Sequence, residues 1–147
     1  MSTRSSTSSE IEAILRRKAL ELLATPRRHC CEAKFPVGYE LRTAEEFKRA
    51  AAGCRTSFVM FFEHTCPYCR AFDPIFRNVG SKYADLANFV KAEVELFAYQ
   101  ASLLGVMGTP TTVAFVGGEA RAALPGFAIA PVFESFVLEN LRSVGCA

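Results

Sequence analysis

Apolar side chains recur along this chain with two different periods, and those periods predict its elements. One stripe at helical spacing predicts an amphipathic helix that starts at Ser9 and ends at Thr25-Pro26. Its members are Ile11, Ile14, Leu15, Ala19, Leu22 and Leu23. Residues 1–8 are small and polar, which is typical of a disordered tail. The first 26 residues are therefore predicted to be a tail with a helical extension.

The rest of the chain, residues 27–147, alternates between short apolar strands and amphipathic helices. Strands are predicted at 37–41, 57–62, 88–94, 111–116 and 121–124, with helices at 44–52, 67–83, 98–104 and from Pro131 onward. Thr43 and Glu46 have capping-box spacing, and Gly117-Gly118 is typical of a hairpin turn. Alternating units imply parallel strands, and the late hairpin adds an antiparallel edge. We expect one α/β domain with a mixed sheet between helix layers.

Composition narrows the class of protein. Half of the 147 residues are apolar, which is enough for a real core. The net charge of +2 comes from interspersed charges and gives no argument for nucleic acid binding. No apolar run is long enough to span a membrane, and none of signal-peptide type follows the first residues. We therefore expect a cytoplasmic monomer, in a compartment where a Cys-x-x-Cys pair is more often catalytic or metal-binding than structural.

The main chemical signal is Cys66-Pro67-Tyr68-Cys69, which lies between a predicted strand and a predicted helix. This context puts the first sulfur at a helix N-terminus, where unpaired N–H groups and the helix dipole favour a thiolate. A thiolate attacks disulfides. Cys66 is therefore the expected nucleophile, and Cys69, one turn into the helix and more shielded, is the expected resolving thiol. This chemistry needs no cofactor and no metal.

Over roughly residues 35–145, the element order and several motifs resemble the thioredoxin family. The matching positions are the Cys-x-x-Cys pair, Pro74 five residues after it, Lys91, the loop Gly108-Thr109-Pro110-Thr111, the turn Gly118-Glu119, and Gly126. The resemblance implies the thioredoxin fold, a three-layer α/β/α arrangement. It also implies that Pro110 is cis beside the thiols, with the Thr109 backbone turned outward to pair with an extended substrate.

The resemblance further implies that Lys91 points toward the thiols and favours a thiolate. Pro67 and Tyr68 are expected to contact substrate beside Cys66. His64 is two residues before Cys66 and could tune its pKa, although a surface histidine is the commoner outcome.

The chain departs from the family pattern near the active site. Met60 stands where thioredoxins usually carry a buried aspartate, and Thr65 stands where they carry a tryptophan. Glu63, Glu93 and water are candidates to replace the missing acid, and the sequence favours none of them. The inner pair Pro67-Tyr68 is typical of glutaredoxins.

These residues predict a thiol–disulfide oxidoreductase that acts on protein disulfides and receives electrons from an upstream reductase. A glutathione-dependent, glutaredoxin-like enzyme is the alternative, although residues 125–130 are apolar and lack the acidic pair of a glutathione site. A second alternative is metal binding by Cys66 and Cys69 together with Cys30 and Cys31, whose adjacency suits zinc poorly. A third is a non-catalytic interaction module that docks through the N-terminal helix.

Four further cysteines have no role in this scheme: Cys30, Cys31, Cys54 and Cys146. They allow three disulfide connectivities, and the sequence does not choose among them. Their number is high for a reducing compartment, which raises the possibility of structural disulfides like those in proteins from very hot environments. Free buried thiols are the other possibility.

Overall fold

The computed structural model describes residues 8–20 and 30–147. Residues 8–20 form helix α1, every residue of which is exposed. The helix already includes residue 8, which the sequence assigned to the tail. The predicted helix end at Thr25-Pro26 and the stripe members Leu22 and Leu23 lie outside the described residues.

The remaining elements follow the predicted order. The strands are β1 (Tyr39–Glu40), β2 (Thr56–Phe62), β3 (Ala87–Glu93), β4 (Thr111–Val116) and β5 (Glu119–Pro125). The helices are α2 (Ala44–Ala52), α3 (Pro67–Lys82), α4 (Ala98–Leu103) and α5 (Ala130–Arg142). Two strands differ from their predicted bounds by more than one residue. β1 has only two residues, and β5 begins two residues before Arg121 because it pairs with β4 as far as the hairpin turn.

The sheet is mixed and has the strand order β1-β3-β2-β4-β5. β3 pairs in parallel with β1 and β2, while β4 is antiparallel to both β2 and β5. Gly117 and Gly118 join the last two strands, with φ of 61° and 83°. Both values lie in the left-handed region that a type I′ hairpin turn requires.

Phenylalanine fills much of the core on both faces of the sheet. Every residue of β2 is buried, so its side chains feed two separate clusters. Phe58 and Met60 pack with residues of α3 and α5, and Val59 and Phe61 pack with residues of α2. Two buried faces explain why β2 reads as a continuous apolar run. The predicted three-layer α/β/α arrangement is confirmed.

Two disulfides tie residues 30 and 31 to the domain. Cys30 pairs with Cys146, 116 residues away, and Cys31 pairs with Cys54, 23 residues away. Buried Asn88 holds the next residues: its side chain donates to the Ala33 carbonyl at 2.9 Å and accepts from the Phe35 N–H at 2.8 Å. The structure thus selects one of the three connectivities that the sequence left open.

Candidate active site

Cys66 is the N-cap residue of α3. Its backbone is extended, with φ −85° and ψ 114°, and Pro67 follows in the first turn, where a missing N–H costs no hydrogen bond. The Cys66 sulfur accepts a hydrogen bond from the Cys69 N–H at 3.2 Å. A sulfur in the position of a capping oxygen therefore faces the positive end of a 16-residue helix.

The two thiols have opposite environments. Burial on its own raises the pKa of Cys66, but hydrogen bonds with Cys69 and Thr109 and with backbone groups of Cys69 and Tyr68 outweigh it, so the pKa is lowered. Burial also raises the pKa of Cys69, and there the hydrogen bond with Cys66 adds to the increase. Cys66 is partly exposed and Cys69 is buried. At neutral pH the accessible sulfur is thus the one that ionises more readily.

A proline loop closes one side of Cys66. The Thr109–Pro110 peptide bond is cis, as expected, and the Thr109 carbonyl oxygen lies 3.5 Å from the Cys66 sulfur. The loop is held in place because Pro110 accepts from the Gly126 N–H at 2.7 Å and Thr111 donates to the Gly108 carbonyl at 2.7 Å. A pocket of about 420 Å³ lies behind it, lined by residues 104–111, Ala123, Pro125 and Gly126.

Several large apolar side chains are exposed in the segments that flank the site. Tyr68 is 68% exposed and Met107 98% exposed, and Phe127 and Ile129 before α5 are also exposed. Exposed apolar residues grouped near a reactive atom are typical of a binding surface.

A second pocket, of about 200 Å³, opens beside Cys69. It is lined by Phe62, Glu63, His64, Cys69, Arg70, Asp73, Pro74 and Lys91. Lys91 points into it, since its ammonium lies 4.4 Å from the centre of the Phe62 ring and 2.8 Å from one Asp73 oxygen. The other Asp73 oxygen accepts from Arg77 at 2.8 Å.

The candidates for the missing acid have different surroundings. Met60 is fully buried in the core and pairs in register with Lys91. The Glu93 carboxylate caps the following turn by accepting from the Leu96 N–H at 3.0 Å, and Glu63 lines the pocket. The acid that contacts Lys91 is Asp73, which the sequence analysis missed. Its spacing of four residues from Cys69 was the available signal, because such residues share a helix face.

Three other residues that the sequence singled out, His64, Cys30 and Cys31, have partners other than the two thiols. His64 is a surface histidine whose Nε2 lies 3.0 Å from a Glu40 oxygen, and its ring packs edge-on against Phe62. Cys30 and Cys31, proposed as metal ligands, are both in disulfides. Within residues 8–20 and 30–147, no cluster of three or more His, Cys, Asp or Glu side chains could hold a metal ion.

The thioredoxin family model matches residues 39–138, which is more than half of the chain. The chain belongs to the thioredoxin family. It is 28% identical over 85 residues to the thioredoxin of Alicyclobacillus acidocaldarius, a match that covers 58% of this chain and 81% of that protein. It is also 28% identical over 86 residues to NADPH-dependent thioredoxin reductase 3 of Arabidopsis thaliana, where the match spans 58% of this chain and only 16% of the relative.

The solved thioredoxin structures agree with this assignment at the level of fold. The thioredoxin of Malassezia sympodialis superposes with a TM-score of 0.65 at 20% identity, over 72% of this chain and 92% of that one. Family membership makes this protein a thiol–disulfide oxidoreductase. In the part of the chain that the structure describes, no helix is long and apolar enough to cross a membrane.

Proposed function

We propose that the Cys66–Cys69 pair exchanges electrons with disulfides in other proteins, with Cys66 as nucleophile and Cys69 as resolving thiol. The observation that carries the proposal is the capping position of the Cys66 sulfur, 3.2 Å from the Cys69 N–H. That position lowers the pKa of Cys66 while burial raises that of Cys69. The difference in ionisation and access fixes the order of attack.

The reaction then has two displacement steps. The Cys66 thiolate attacks a substrate disulfide, forms a mixed disulfide with one half and releases the other half as a thiolate. Cys69 loses its proton and attacks the Cys66 sulfur, which forms the Cys66–Cys69 disulfide and releases the second substrate sulfur. The substrate gains two electrons and the protein dithiol loses them, so an upstream reductase must restore the dithiol.

Protein substrates suit this surface better than glutathione. The N-cap Ile129 of α5 makes no side-chain capping hydrogen bond, and the first turn of that helix carries no acidic residue. The exposed Tyr68 and Met107 and the loop Thr109–Pro110 offer apolar area and backbone groups to an extended segment. We therefore place Pro67, Tyr68, Thr109 and Pro110 in the substrate-binding surface, despite the glutaredoxin-type inner pair.

Insulin reduction with dithiothreitol tests the proposal. We expect Cys66→Ser to abolish turnover and Cys69→Ser to accumulate mixed disulfides, because the second displacement is then blocked. Wild-type activity in Cys66→Ser would rule out the nucleophile. We expect a reduction potential of roughly −200 to −270 mV, and a value above about −150 mV would indicate an oxidase-like role instead.

The remaining expectations concern context. A monomeric state and a cytoplasmic location stay predictions, as does the division into a 1–26 extension and a 27–147 domain. The Cys30–Cys146 disulfide is shielded from small thiols, since both residues are at most 1% exposed.

A further inference from the structure

No acidic residue of β2 lies beside Lys91, but α3 supplies a carboxylate, that of Asp73. Met60 is buried beside Lys91 in the sheet register and offers the lysine no counter-ion. Asp73 approaches the same ammonium from α3, at 2.8 Å. It follows Cys69 by four residues, so both side chains lie on one face of the helix and line the same pocket.

Lys91 needs a counter-ion at this position. Only 13% of its side chain is exposed, and a neighbouring anion lowers the cost of removing its ammonium from water. Asp73 has the Arg77 guanidinium as a second partner, at 2.8 Å. Partial burial favours a protonated Asp73, but the two cations outweigh it and hold the pKa of this carboxyl below its ordinary value of 3.8. Asp73 therefore stays ionised at neutral pH and cannot store a proton taken from Cys69.

We propose that Asp73 is the counter-ion of Lys91, and that this ion pair sets how readily Cys69 loses its proton and so how fast a mixed disulfide on Cys66 is resolved. Lys91 favours the Cys69 thiolate, and Asp73 limits that effect by neutralising the ammonium and holding it in place. Asp73 is a positioning residue because it acts through Lys91. This inference rests on the proposed roles of the two cysteines.

Other charged groups also face Cys69. Glu63 and His64 after β2, Arg70 on α3 and Lys91 on β3 line the pocket beside Cys69, and the Cys66 sulfur caps the helix. Arg77 reaches this group only through its ion pair with Asp73. His64 lines the same pocket, so its contribution to the pH profile has to be measured separately from that of the ion pair. A His64→Gln variant measured in parallel separates the two.

Reaction of the reduced protein with 5,5′-dithiobis(2-nitrobenzoate) separates the resolution step, the attack of Cys69 on the mixed disulfide, from the first attack by Cys66. In the first phase Cys66 attacks the reagent, forms a mixed disulfide and releases one thionitrobenzoate. In the second, the Cys69 proton passes to water, the Cys69 sulfur bonds to that of Cys66, and the second thionitrobenzoate leaves. The second phase is independent of reagent concentration, so stopped-flow absorbance measures resolution directly.

Two nearly isosteric variants, Lys91→Gln and Asp73→Asn, are expected to change the rate of the second phase in opposite directions. Lys91→Gln removes the positive charge, slows resolution at pH 7 and moves its pH profile upward. Asp73→Asn keeps an acceptor for Lys91 but removes the negative charge, so resolution speeds up and the profile moves downward. We expect the rate of the second phase at pH 7 to change about 3–10-fold in each case, since a nearby charge shifts the pKa of a thiol by about one unit. The double variant is expected to return to within about twofold of wild type.

The matched control is Glu134→Gln. Glu134 resembles Asp73 in exposure, 29% against 26%, and also pairs with a lysine, Lys82, at 3.1 Å, but it lies outside the pocket. This control is expected to leave the rate of the second phase unchanged. Slowing in both Asp73→Asn and Lys91→Gln, or no change in either, would overturn the inference. Absence of the first phase in the wild-type protein would instead refute Cys66 as nucleophile.

Discussion

Removing the Cys30–Cys146 disulfide is expected to destabilise the domain more than removing the Cys31–Cys54 disulfide. A disulfide restricts the unfolded chain, and its effect grows with the length of the loop it closes. This bridge closes 116 residues. In the chain-entropy model such a loop corresponds to roughly 4.9 kcal/mol.

The second disulfide changes that figure slightly. The Cys31–Cys54 disulfide lies inside this loop and already closes 23 of its residues, which leaves an effective loop of about 93 residues. For a loop of that length the same model gives a stabilisation of roughly 4.7 kcal/mol. The Cys31–Cys54 loop itself corresponds to roughly 3.4 kcal/mol. Because typical domains are stable by about 5–15 kcal/mol, either loss is a large fraction of the total.

The assay compares two double variants by guanidinium unfolding without reductant. Cys30→Ala/Cys146→Ala is expected to lose about 3–5 kcal/mol and Cys31→Ala/Cys54→Ala about 2–4 kcal/mol, both with a larger m value because the unfolded chain expands. The cross-links are checked first by counting thiols: mild native reduction is expected to expose only Cys66 and Cys69. Six reactive thiols under those conditions, or equal stability of all three proteins, would refute the reasoning.

Three further predictions follow from single side chains. Iodoacetamide is expected to alkylate Cys66 at pH 7 faster than a free peptide thiol, because its pKa is lowered, and equal rates would contradict this. Asn88→Ala is expected to lower the free energy of unfolding in urea by about 2–4 kcal/mol, since it removes the Asn88 hydrogen bonds to the buried Ala50 carbonyl and to the partly buried Ala33 and Phe35 backbone groups. Asp73→Asn is expected to lower the free energy of unfolding at pH 7 and to lower it progressively less as the pH falls below about 3.8. The reason is that the pKa of Asp73 is depressed in the folded protein, so its stabilising contribution is present above the unfolded pKa and is lost as the pH falls through the folded pKa. A pH-independent difference would count against it.

Local sequence signals predicted the elements that carry the site. The Cys66 cap of α3 follows from a strand, a Cys-Pro pair and a helical pattern in succession, all within about 20 residues. The Thr43 cap of α2 was equally visible, and the Glu46 N–H donates to its hydroxyl at 3.0 Å. The Glu46 carboxylate, however, accepts from the Arg42 N–H, one residue before the expected partner, because it also accepts from the Tyr39 hydroxyl at 2.6 Å.

Long-range pairings could not be predicted in the same way. Nothing near Cys30 in the sequence indicates that its partner is Cys146, because the pairing depends on the chain end after α5 returning to the start of the domain. The shortness of β1 has a similar cause. Within residues 8–20 and 30–147 it pairs with β3 alone, and residues 30–35 before it are anchored instead by the Asn88 side chain and the disulfides.

Recognising the acid at the active site required both a local sequence signal and a long-range contact. On β2, an aspartate at position 60 would have been recognised from its spacing to Cys66, but the chain has buried methionine there. Asp73 was visible only as one of several charged residues on α3, and its role depends on which strand residue lies opposite. The alternation of β3 turns Lys91 to the same face as Phe89, under α3, while Val90 and Ala92 pack on the other face. A lysine placed there is stabilised by an anion, and Asp73, one helical turn beyond Cys69, is within reach of it at 2.8 Å. A buried methionine therefore fills position 60 in the core, while the negative charge beside Lys91 comes from the helix.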